Sequence, residues 1–171
     1  GIVLDLRNDP GGLLQEAVGV PSQFIFSGNV LLEKDAQGKV TPVPVQPKGP
    51  VTRLSVVVLI NQGTASAAEI VAGALQDAQR ARLVGETTFG TGTVLNQFNL
   101  GDGSALLLAT EEWLTPNGRT IWHQGIKPDE TVTLASNQNL LVPEAEKQMT
   151  AAQLQASGDG QLLDAIKLLP D

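Results

Sequence analysis

Two stretches of this chain share one grammar: a short apolar run, a tight turn, then a helical pattern. The first is Gly1-Ile2-Val3-Leu4-Asp5-Leu6-Arg7, followed by Asn8-Asp9-Pro10-Gly11-Gly12 and a helical run through Leu13, Leu14, Ala17, Val18 and Val20. The second is the strand-like run Leu54 to Ile60, the turn Asn61-Gln62-Gly63-Thr64, and a helical pattern through Ile70, Val71, Ala74, Leu75 and Ala78. Strand–helix alternation of this kind, interspersed with hairpins, predicts a mixed α/β sheet covered by helices. The chain has 171 residues, of which 42% are hydrophobic and 17% charged, enough for one domain with its own core.

The remaining punctuation fills in that outline. A helix is expected from about Leu13 to Phe26, with its apolar stripe on the sheet. Val30–Glu33 and Lys39–Pro42 read as a hairpin about the turn Asp35-Ala36-Gln37-Gly38. Pro42, Pro44, Pro47 and Pro50 then read as a stiff extended connector that cannot join a central strand. Strands are expected near Arg82–Val84, Thr93–Phe98 and Ser104–Trp113, the last two joined by Asn99-Leu100-Gly101-Asp102-Gly103. Thr115-Pro116-Asn117-Gly118 is a further turn, and Lys127-Pro128-Asp129 closes the sheet region. Pro143–Ala156 and Gln161–Leu169 read as helices separated by Gly158-Asp159-Gly160, giving a C-terminal helical segment over 143–171.

Both strand-to-helix turns carry chemistry. A serine at the start of a helix that follows a buried strand lies where backbone N–H groups point outward and can stabilise negative charge on an attacked carbonyl oxygen. Ser66, in Thr64-Ala65-Ser66-Ala67-Ala68-Glu69, is such a residue. The plainer alternative is that Thr64 or Ser66 caps the helix. Glu69, at i+3 from Ser66, shares its helix face, although a first-turn glutamate is also favoured by the helix dipole alone. In the other turn, Gly11 and Gly12 can present N–H groups with no side chain in the way. Together the two turns supply a nucleophile and one donor each. Asp5 and Arg7 end the first strand, either as a local ion pair or as a cleft-lining pair that meets a substrate carboxylate.

These residues, with Ala74-Leu75-Gln76-Asp77, Gly85-Glu86-Thr87-Thr88-Phe89-Gly90, Leu114-Thr115-Pro116-Asn117-Gly118-Arg119 and Gly125-Ile126-Lys127-Pro128-Asp129, run in order from Gly1 to about Asp129. In that order they resemble the C-terminal processing peptidases, the tail-specific serine proteases. The resemblance implies a crotonase/ClpP-like mixed sheet with covering helices and hairpins, and a Ser66 nucleophile. It also implies an oxyanion hole made by Ala67 and an amide of the Gly11-Gly12 turn. No cofactor is implied. The substrates are polypeptides with unstructured C-terminal tails. In such relatives more catalytic core and a PDZ domain lie upstream, so the chain is expected to be one partial peptidase domain, 1–171, of an exported protein of the bacterial periplasm or cell surface.

One element departs from the pattern. The family sets a lysine base between Phe-Gly and Gly, whereas this chain reads Phe89-Gly90-Thr91-Gly92, with Thr91 at the lysine position. Leu95 stands where the family carries a glutamine. A threonine hydroxyl accepts no proton near neutral pH. In an unrelated serine protease, removing the base costs on the order of a million-fold in turnover. Two linked departures point to a natural variant, either a non-catalytic peptide-binding relative or an enzyme with a base from elsewhere. The single histidine, His123, has the right intrinsic pKa, with Glu111 or Glu112 as a partner to orient it; otherwise it packs on Trp122 at the surface. Lys34, Lys39, Lys48, Lys127, Lys147 and Lys167 all read as solvated charges. A crotonase-like acyl-CoA enzyme would share the oxyanion geometry but does not use this serine motif.

The net charge of −7, spread along the chain, argues against nucleic acid or an anionic membrane as partner. The absence of cysteine excludes disulfides and thiolate catalysis, and one histidine with no clustered carboxylates argues against a metal site.

Overall fold

A computed structural model describes residues 1–47, 52–134 and 140–170. The chain runs β1 (Ile2–Asp5), α1 (Leu14–Gly19), a 3₁₀ turn (Pro21–Gln23), β2 (Asn29–Asp35), β3 (Val40–Pro44), β4 (Val56–Ile60), α2 (Ala67–Asp77) and β5 (Ala81–Gly85). It continues through β6 (Thr93–Asn99), β7 (Ala105–Leu114), β8 (Glu130–Thr131), α3 (Pro143–Glu146), α4 (Ala151–Gln155) and α5 (Gly160–Lys167). The strands form two sheets. One is parallel, in the order β1-β4-β5-β8; the other is antiparallel, in the order β3-β2-β7-β6.

The alternation of side chains along β4 organises the core. All five of its residues are buried. Val56, Val58 and Ile60 belong to the apolar cluster that holds α1 and α2, while Val57 and Leu59 belong to a second cluster with Leu162 and Ala165 of α5. A central parallel strand is covered on both faces in this way, which is why the run reads as continuously apolar. Helix α2 is buried from Ala67 to Leu75, and its apolar residues extend all the way round. Gly73 lets the 115–126 segment approach closely: a Cβ there would lie 3.0 Å from Thr115 Cγ2 and 3.2 Å from Ile126 Cδ1. Val30, Leu31 and Trp113 join the antiparallel sheet to the same core.

The sequence-based boundaries fail where proline intervenes. The helix expected from Leu13 to Phe26 stops at Gly19, because Pro21 has no N–H to continue the ladder and starts the 3₁₀ turn instead. Pro42 and Pro44, expected in a connector, lie in β3. That strand is an edge of its sheet, where a missing donor is tolerated. Pro50 and Lys48 lie outside the described residues. The helix expected over 143–156 is two short helices, the second capped by Thr150, whose hydroxyl accepts from Gln153 N–H at 3.3 Å. Asp159 caps α5 by accepting from Leu162 N–H at 3.1 Å.

Candidate active site

The turns after β1 and β4 are stitched together side by side. Asn8 N–H donates to Asn61 Oδ1 and Asn61 Nδ2 donates to Asn8 Oδ1, both at 2.9 Å. Ala65 N–H donates to Asp9 O at 2.9 Å. The buried Thr64 hydroxyl donates to Leu6 O at 2.7 Å and accepts from Asn61 N–H at 3.0 Å. Thr64 therefore bridges two strand ends and does not cap the helix. These bonds follow from parallel pairing of β1 with β4, which ends both strands at the same level.

Ser66 precedes α2 with φ 54° and ψ −121°, in the left-handed half of backbone space that a non-glycine residue enters at a cost of order 1–3 kcal/mol. Its hydroxyl makes no cap hydrogen bond to the first turn, and the Glu69 N–H goes to the Ser66 backbone carbonyl at 2.9 Å. Ser66 is half-buried, and the capping-box pairing of this turn is carried by Glu69, whose carboxylate accepts from Ser66 N–H at 2.9 Å. Of the four non-glycine residues with positive φ among the described residues, Asn8 and Ser66 lie in the stitched turns and His123 on the adjoining loop. Strain gathered around one spot is a mark of function more than of stability.

The diglycine turn touches the serine turn. Gly11 has φ 89°, and a Cβ there would fall 2.7 Å from Ala65 O, 2.7 Å from Ala67 N and 2.9 Å from Ser66 Cβ. Glycine is required both for that conformation and for that approach. The Gly11 N–H is already engaged with Asp9 Oδ1 at 2.8 Å. Gly12 and Ala67 N–H have no intramolecular acceptor among the described residues. A cavity of about 290 Å³ opens beside them, walled by Leu6, Leu13, Ala68 and Val71.

Glu69 has a larger part than its position in a first turn suggests. Its side chain is fully buried, and its carboxylate accepts from Ser66 N–H (2.9 Å), Thr88 Oγ1 (2.5 Å), Gly90 N–H (2.7 Å) and Thr91 N–H (2.9 Å). Thr88 Oγ1 accepts in turn from Ile126 N–H at 2.7 Å. One carboxylate thus fixes the serine turn against the 88–92 loop and places Thr91 beside Ser66. The only signal in the sequence was the i, i+3 spacing; its partners lie about twenty residues further on.

The other candidates are dispersed. His123 donates its N–H to Gly90 O at 2.9 Å, one residue from Thr91, but its ring is exposed and tilted against Trp122 with centroids 4.6 Å apart. Neither suggested acid orients it. Glu112 is paired with Lys34 at 3.1 Å, and Glu111 makes no hydrogen bond to it. Leu95 is exposed on β6. None of the described lysines is buried. Arg7, by contrast, is buried and fully engaged, so it is not free for a substrate carboxylate. Burial alone would lower the pKa of its guanidinium, but bonding to Asp5 and Asp159 outweighs burial and leaves it above its ordinary value. Among the described residues no helix is long and apolar enough to cross a membrane, and no group of three or more His, Asp or Glu is placed to hold a metal.

The half-buried Ser66, in a strained strand-to-helix turn, thus lies against a second, glycine-bearing strand-to-helix turn. The chain belongs to Peptidase family S41, whose model matches residues 1–132. It is 43% identical over 132 residues to a carboxyl-terminal-processing protease of Synechocystis sp., a match covering 77% of this chain and 31% of that protein. It is 40% identical over 148 residues to the carboxy-terminal processing protease CtpA of Bacillus subtilis, covering 86% of this chain and 32% of the relative. Among solved structures it resembles the photosystem II D1 C-terminal processing protease, with TM-score 0.72 and 37% identity over 77% of this chain and 34% of that one. A solved structure from Parabacteroides merdae shares the fold across 99% of this chain and 51% of its own, with TM-score 0.74 at 19% identity. The chain thus spans about a third of the length of the curated relatives it matches.

Proposed function

We propose that this chain carries the nucleophile and oxyanion hole of a C-terminal processing serine peptidase acting on unstructured polypeptide tails. Ser66 Oγ attacks the scissile carbonyl carbon. A base takes the Oγ proton as the C–O bond forms, and the carbonyl electron pair moves onto oxygen, to which Gly12 and Ala67 N–H donate. Collapse breaks the C–N bond as the base returns the proton to the departing amine, leaving an acyl-serine for water. The cavity beside those amides suits a small apolar substrate side chain, and the rest of the tail would lie extended along a strand edge. The observation that supports this reading is the close approach of the diglycine turn to the serine turn, where a Cβ on Gly11 would fall 2.7 Å from Ala67 N and 2.9 Å from Ser66 Cβ. The parent protein is proposed to be exported, on the resemblance alone.

Thr91 cannot take the serine proton. His123 is the recruited-base candidate because its backbone is bonded to Gly90, next to Thr91. A second reading, a cleft that captures tails without cutting them, is favoured by the same Thr91 and by the exposed Leu95. Labelling of the full-length protein by a fluorophosphonate probe separates the two. Labelling abolished by Ser66→Ala supports the peptidase, and its further loss in His123→Ala identifies the base. Absence of labelling with retained tail-peptide binding supports the binding module and refutes catalysis.

A further inference from the structure

Arg7 is the last residue before the turn that bears Gly11 and Gly12, and all five of its guanidinium N–H groups are engaged. Nε donates to both Asp5 oxygens at 3.0 and 3.1 Å, and Nη2 donates to Asp5 Oδ2 at 2.7 Å and to Leu141 O at 3.1 Å. Nη1 donates to both oxygens of Asp159 at 2.9 Å and to Gln161 Oε1 at 3.3 Å. The side chains of Arg7 and Asp159 are both fully buried. Asp159 also accepts from Leu141 N–H at 3.0 Å and caps α5 through Leu162 N–H. Leu141, Asp159 and Gln161 lie beyond residue 132, outside the stretch matched by the family.

Charge balance does not require Asp159. Asp5 alone neutralises Arg7, and a neutral Ser or Asn would cap α5 as well. A second buried carboxylate leaves the cluster with one excess negative charge and carries a desolvation cost. What it adds is geometry. A planar guanidinium held at every donor cannot pivot, and it fixes the chain one residue before Asn8. Within the turn, Asp9 O is held separately by Ala65 N–H.

We propose that Asp159 is a positioning residue of the peptidase site: through the Arg7 fork, the C-terminal segment holds the diglycine turn in register with Ser66. The proposal rests on the reading of that turn as half of the oxyanion hole. It reaches residues beyond the 1–132 stretch that the family model matches.

The test is hydrogen exchange on the full-length protein, with Asp159→Asn, Asp159→Ser (which keeps the cap) and Leu162→Ala. Leu162 sits on the same helix and packs with Leu59 but takes no part in the fork. In both Asp159 variants the bonded amides of Arg7, Asn8, Asp9 and Gly11 should exchange at least ~10-fold faster while α2 remains protected. Leu162→Ala should show no such turn-selective change. With a cleavable tail peptide, kcat should fall at least ~10-fold with KM nearly constant. If turn exchange rises no more in the Asp159 variants than in Leu162→Ala, or rises uniformly with α2, Asp159 is only a structural cap and the proposal is overturned. If wild-type protein takes no fluorophosphonate label, the peptidase reading fails while the exchange result still decides whether the segment holds the turn.

Discussion

Glu69→Gln isolates the interaction that assembles the site. The carboxylate has two oxygens, each accepting two donors: Ser66 and Thr91 N–H on Oε2, Thr88 hydroxyl and Gly90 N–H on Oε1. Glutamine keeps one oxygen and turns the other into an NH₂, which opposes the donors it faces. The less costly orientation sets the NH₂ toward Ser66 and Thr91, since both are half-buried and water can reach them, whereas Gly90 and Thr88 are buried. Two donors then lose a charged acceptor, at ~1–3 kcal/mol each when fully buried. Partial hydration brings the expected loss to about 2–4 kcal/mol in total. Urea unfolding followed by the fluorescence of Trp113 and Trp122 measures it, and probe labelling at Ser66 should fall in parallel. A loss below about 1 kcal/mol with an unchanged m-value would show that the network does not hold the two loops together.

Other perturbations follow the same geometry. Gly11→Ala should displace the turn, because its Cβ would meet Ala67 N at 2.7 Å, and should cut labelling ~10²–10³-fold, as loss of an oxyanion donor does. Gly12→Ala, with open space around its Cβ, should fold normally by circular dichroism and melting temperature. Thr64→Val leaves Asn61 N–H without its acceptor and Leu6 O with Asp9 N–H alone, and should cost about 1–3 kcal/mol in the same urea assay. The Glu146 carboxyl is held above its ordinary pKa, first by burial and then by the charge of Asp5. A raised acid contributes stability that is full below the ordinary carboxylate range and is lost as pH rises through the raised value. Glu146→Gln should therefore melt higher than wild type at pH 7, and the gain should vanish below about pH 4, by thermal denaturation across pH.

The two strand–turn–helix units, the Gly-rich turn and the serine turn were legible in the sequence because each is written within ten or twelve residues. Local signals of that kind survive in any fold that keeps the unit. The split into two sheets was not legible, because β7 pairs with β2 across some eighty residues and no local pattern records that pairing. The end of α1 was not legible either, because Pro21 breaks the helix inside a run that stays apolar on both sides. Glu69 and Arg7 show in the sequence only as a first-turn acid and as an ion-pair or cleft-lining residue. Their roles come from Thr88, Gly90 and Thr91 in one case and from Asp159 and Gln161 in the other, contacts that only tertiary folding creates.

The most direct test of the central claim is hydrolysis of a tail peptide by the full-length protein carrying Thr91→Lys and Leu95→Gln. Glu69 already fixes the backbone of residue 91 against the serine turn, so a lysine there needs no new scaffold. Since loss of a base costs on the order of a million-fold elsewhere, its return should raise turnover by at least ~10³-fold, and Ser66→Ala should erase the gain. Turnover unchanged by the double substitution would contradict a preformed acyl-transfer site at Ser66.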